Sequence, residues 1–285
     1  MKAGTARLTA RLALLALAVA LVLAASGVMS AGFQPSARIV VVTAITALLA
    51  PFFRPHDAGL ASRSAMRTGL WCVGAVVVAA GAVVVAGGTG VLAPRVLHAC
   101  LLLLLVLLAT HAAASVIEES IRAWTHERDG LHETATWIVV VGLAALGATP
   151  LWLGPVAELL SGGEPAAVDT IVGMSPLTHL AVASGNDLLR NQWFYQHSNL
   201  ASLRFTYPTL AAIVLSYLAA ILALGAVLTA LANHRSRSGR AGWTTTSARS
   251  RSSRVCASSS RPPGSAASRW TTCSSTVFPG SARRP

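Results

Sequence analysis

Six stretches, at about 12–29, 39–53, 70–92, 96–114, 137–153 and 209–231, carry almost no charged side chain. About 20 apolar residues cross a bilayer as a helix. In lipid, only helices and closed barrels satisfy their own backbone polar groups, and none of these stretches shows the alternation of a barrel strand. The expected fold class is therefore all-α: a polytopic helical membrane bundle of about six transmembrane spans over residues 1–232. Composition agrees. Charged residues make up 11% of the chain, against roughly 25% in a soluble domain.

The net charge of +12 needs dividing before it can be used. Residues 1–234 hold 12 Lys and Arg and all 10 acids, whereas residues 235–285 hold 10 Arg and no acid. The basic character belongs to a Ser/Arg-rich tail, 233–285, expected to be disordered because it has no apolar pattern from which to build a core. Arginines of this kind attract anionic lipid or nucleic acid without sequence preference, so no specific nucleic-acid partner is expected. The same composition is what an off-frame reading of GC-rich coding DNA gives.

The first span follows Lys2, Arg7 and Arg11, which suits an uncleaved anchor and also the layout of a secretory signal. The third contains a tandem heptad, Gly74–Ala80 followed by Gly81–Gly87, so Gly74, Gly81 and Gly88 share one face. Small residues there let helices approach closely. Cys72 and Cys100 open consecutive antiparallel spans and should lie too far apart to bridge. The helix of the fourth span should continue beyond it, with His111, Ser115, Glu118 and Arg122 as one polar stripe. That stripe fits an amphipathic extension along the surface, or a proton or ion relay through His111 and Glu118.

The fifth span meets Pro150 and then Gly154-Pro155, and proline ends or kinks a helix. Such breaks line substrate sites in transporters. The segment 161–208 follows. Ser175-Pro176 reads as a helix start, and the apolar pattern then suggests an interfacial helix reaching about Arg190. Trp193, Phe194 and Tyr195 suit a membrane interface. Glu158, Asp187, Arg190 and His197 are candidates for one outer polar cluster that binds or gates a substrate. Lys and Arg favour cytoplasmic loops. With both termini cytoplasmic in an inner membrane, eight basic residues before the tail lie inside and four outside, which puts 161–208 on the outer face.

There is no nucleotide-binding loop, zinc pattern or nucleophile elbow, so no cofactor is expected and an enzyme is the less favoured class. Six spans, cytoplasmic ends and a long outer segment before the last span resemble the ABC-2-type exporter permeases. The run Glu127-Arg128-Asp129-Gly130 with Glu133 is similar to a cytoplasmic motif of that family, which places it between its second and third spans; here it falls between the fourth and fifth. The resemblance implies a homo- or hetero-dimeric permease in the lipid bilayer, driven by a separate ATPase subunit. A non-catalytic membrane scaffold and a membrane-embedded enzyme with an outward-facing site are the alternatives.

Overall fold

The computed structural model describes residues 2–26, 34–55, 62–87, 93–124, 130–153, 156, 159, 165–190 and 205–255. Among them every regular element is a helix. In chain order these are α1 (Lys2–Ala25), α2 (Pro35–Leu49) with a 3-10 turn (Ala50–Phe53), α3 (Ser62–Gly87) and α4 (Ala93–Trp124). Then come α5 (Leu131–Gly147), α6 (Thr149–Trp152), α7 (Pro165–Met174), α8 (Pro176–Ser184) and α9 (Leu210–Val255). The chain divides into two units, Met1–Arg235 and Ser236–Pro285. In the second, residues 236–255 are helical.

Five helices are long and apolar enough to cross a membrane: Ala6–Ala25, Pro35–Phe53, Met66–Ala86, Pro94–Trp124 and Leu210–His234. They coincide with five of the six expected stretches. The fifth stretch differs. Its helix, α5, is 17 residues long and begins at Leu131, six residues before the expected start. At ~1.5 Å per residue it reaches about 25 Å, near the lower limit for a span.

The sixth candidate is a broken pair, α7 and α8, bent by 84° at Ser175. Ser175 does cap α8 as its sequence suggests: Oγ accepts from Thr178 N at 3.3 Å. But α8 stops at Ser184, not near Arg190. Gly185 adopts the left-handed conformation (φ 66°), and Asn186 N donates back to Ala181 O at 2.9 Å. A glycine in this conformation terminates a helix. Helix α8 packs against α2, α4 and α5, and Thr178, His179, Leu180, Ala181, Ala183 and Ser184 are all buried.

Helix ends gather at two levels. At one, here the charged end, the Arg11 side chain of α1 donates to Arg54 O, just past α2, at 2.7 Å. Arg54 in turn meets the last turns of α4 and the first of α5. At the opposite end Arg38 of α2 donates to Ala86 O of α3. There Ser175 Oγ donates to Gly147 O, the end of α5, at 2.9 Å. A Cβ at Gly185 would lie 3.0 Å from Arg95 Nε, near the start of α4. Helices α1 to α5 therefore alternate in direction.

The core between them is apolar and continuous, from Leu15 and Val19 through Val42, Trp71, Ala75 and Leu103 to Leu180 and Ile213. Of the glycine line, Gly74 is the close approach: a Cβ there would come within 2.7 Å of the Leu12 side chain of α1. Gly81 has open space beside it. Gly88 lies outside the described residues. Cys72 and Cys100 are both free thiols.

Candidate functional site

Ionisable groups concentrate at the charged end. Arg54 directly follows the 3-10 turn, between Pro51 and Pro55, with extended backbone (φ −60°, ψ 148°). Its side chain is 1% exposed. One nitrogen, Nη2, donates to Glu118 Oε2 at 2.9 Å and faces His132 Nδ1 at 3.0 Å. A guanidinium has only donors, so the imidazole nitrogen accepts. Arg122 Nη2 holds the other Glu118 oxygen at 2.8 Å and Nη1 bonds Glu119. Burial lowers the Arg54 pKa, and the charge and hydrogen bond of Glu118 act against that shift. An arginine stays protonated regardless. Nε and Nη1 of Arg54 have no hydrogen-bond partner among the described residues.

The expected stripe on α4 thus divides. Glu118 and Arg122 join the ionic cluster. Ser115 instead donates to His111 O at 2.9 Å, within its own helix. His111 lies two turns deeper. Its Nδ1 is 2.7 Å from Leu107 O and 3.9 Å from Cys72 Sγ. Since a carbonyl only accepts, Nδ1 carries the proton. Arg54 and His132 were not among the sequence candidates. Their partners lie 64 and 78 residues away from Arg54, and no local pattern marks such pairing.

The broken pair α7–α8 brings a second polar group into the bundle. His179 Nε2 lies 2.9 Å from Gly173 O, so it donates there; Nδ1 then accepts from Tyr217 O–H of α9 at 3.2 Å. The imidazole ties the break to the start of α9. Thr178 Oγ1, one residue earlier, is buried with no hydrogen-bond partner among the described residues.

Of the outer candidates, Asp187 and Arg190 are paired at 3.6 Å and well exposed. Glu158 and His197 lie outside the described residues, as do Trp193, Phe194 and Tyr195. Asp187 Oδ1 accepts from Tyr207 O–H at 2.5 Å, and Arg190 sits 5.8 Å from the Phe205 ring centroid. Burial, then the Asp187 hydrogen bond, raises the Tyr207 pKa well above its ordinary value. Sequence reasoning passed over Asp169, which holds Thr206 N at 2.8 Å and Thr206 Oγ1 at 2.9 Å. A small apolar cluster, Val168, Ile171, Val172 and Leu189, lies under this cap.

Among the described residues, no three His, Cys, Asp or Glu side chains converge as a metal site. No family model matches the chain, and neither a curated protein nor a solved structure matches it.

Proposed function

We propose that this multi-pass membrane protein is a permease-like transport subunit, the membrane part of an exporter driven by a separate ATPase. The observation that supports it best is the broken pair α7–α8, which buries Thr178, His179 and Ser184 among α2, α4 and α5. Polar side chains within a bundle are costly, and they concentrate where a substrate or ion passes. Broken helices line the substrate sites of many transporters. On this reading the charged end faces the cytoplasm, following the bias of basic residues, both termini are cytoplasmic, and the subunit works as a dimer.

Two measurements test the proposal together. The full-length chain, purified gently from its own membranes, should bring an ATPase with it. In a Thr178→Cys variant lacking the native cysteines, a water-soluble thiol reagent should reach the introduced thiol. A chain that carries no ATPase and stays unlabelled at position 178 overturns the reading.

A second reading, a non-catalytic assembly subunit, is favoured by the apolar part of α9. Over Leu210–His234 only Ile213 and Leu228 are buried. A stable partner complex without an ATPase would support it.

A further inference from the structure

Arg54 Nη2 and its two partners are arranged so that one proton changes which of them are bonded. With His132 neutral, the two hydrogens of Nη2 serve two acceptors, Glu118 Oε2 at 2.9 Å and His132 Nδ1 at 3.0 Å. The imidazole nitrogen lies 3.5 Å from that same Glu118 oxygen. A proton added to Nδ1 takes the lone pair to which Arg54 donates. Donor then faces donor and cation faces cation at 3.0 Å, while the new N–H has Glu118 as its acceptor. Two cations compete for one carboxylate oxygen, and Arg122 already holds the other.

We infer that Arg54, Glu118 and His132 form a proton-binding site that locks the charged ends of α1, α2, α4 and α5 together and releases them when His132 is protonated. The inference goes beyond the transport reading and does not depend on it. Histidine is the side chain whose ordinary titration falls between about pH 5 and 8. Arg54 is the member that has to yield. It is 1% exposed, and a buried cation that loses its counter-charge is strongly disfavoured. It stands on the short connection after α2, and its carbonyl is held by Arg11 of α1, so its departure loosens two helices.

Among the described residues, these charged and titratable groups stand near the site. From α4 they are Glu118, Glu119 and Arg122, with His111 two turns deeper. From α1 there is Arg11, and on α5 itself Glu133 follows His132. His179 of α8 is engaged elsewhere, by Gly173 and Tyr217.

Cys72 can report the opening. It is fully buried, 3.9 Å from His111 Nδ1, and His111 lies about 10 Å along α4 from Glu118. The experiment uses the full-length chain in membrane vesicles with Cys100→Ser, Cys256→Ser and Cys273→Ser. The rate of N-ethylmaleimide labelling is divided by that of glutathione at each pH, which cancels thiolate ionisation. Between about pH 8 and about pH 5.5 the ratio should rise roughly tenfold. His132→Asn keeps an acceptor toward Arg54 without titrating and should hold the ratio low at both pH values. Glu118→Gln removes the counter-charge and should raise it at both. A flat wild-type ratio, or a His132→Asn variant that keeps the wild-type rise, overturns the inference. If Glu118→Gln fails to insert, the wild type and His132→Asn still decide the question.

Discussion

Two arginine–carboxylate pairs stand in opposite surroundings. Arg54 and Glu118 meet at 2.9 Å with 1% and 12% exposure; Arg190 and Asp187 meet at 3.6 Å with 63% and 45%. The first is one link in a network spanning α1, the end of α2, α4 and α5. The second joins residues three apart in one short segment. The residue types are the same, and their environment sets what each can do. A buried pair is no certain gain in stability over apolar packing, but removing one partner leaves a charge without compensation. An exposed pair contributes at most about 1 kcal/mol and can be lost with little effect. Loss of one partner should therefore weigh more on the fold at the charged end than at the exposed pair.

The sharpest test of this contrast removes one carboxylate from each side. Glu118→Ala should cost roughly 3–5 kcal/mol, because Arg54 is then buried without a counter-charge. Replacing both partners by apolar residues, Arg54→Met with Glu118→Leu, should recover most of that loss. Thermal unfolding of the purified protein in detergent measures both. A Glu118→Ala variant no less stable than Asp187→Ala would break the comparison.

Gly185→Ala should have the next largest effect, about 1–2 kcal/mol. It places a side chain in the left-handed region and presses it against Arg95 at 3.0 Å. The same unfolding measurement reads it, and an unchanged midpoint would show that the end of α8 has freedom to move.

Tyr207 extends the contrast into pH. Its pKa is raised in the fold, by burial first and then by its bond to Asp187. Above about pH 10, where a tyrosine in the unfolded chain ionises, the folded chain retains the extra proton. The contribution of Tyr207 is thus complete below about pH 10 and is lost as pH rises through the raised value. Tyr207→Phe should flatten that alkaline loss and cost about 1 kcal/mol for the missing hydrogen bond. An unaltered alkaline slope would separate Tyr207 from cap stability.

The smallest effect is expected at Arg190→Ala, under about 1 kcal/mol and vanishing in high salt, which screens exposed charges. Salt should leave the Glu118→Ala loss largely intact.

Five of the spanning helices were legible because each announces itself by composition over one continuous run, and such a run has few other stable arrangements in lipid. The cap on α8 was legible too, since Ser175-Pro176 acts on its nearest neighbours. The burial of α8 was not. Nine residues mixing Leu and Ala with Thr, His and Ser suit an exposed helix as well as a packed one, and only α2, α4 and α5 around it decide between them. The charged site was hidden for a related reason. Arg54 looks like one more basic loop residue until Glu118 and His132 arrive from far along the chain. Asp169 and Thr206, 37 residues apart, are the same case at the other end.

The position of α8 also bears on the order of biogenesis. All three helices that enclose it, α2, α4 and α5, are synthesised before it. Its buried hydroxyls and imidazole are poorly suited to lipid, and every helix that shelters them is already available when α8 emerges. Tyr217, which bonds His179, follows on α9.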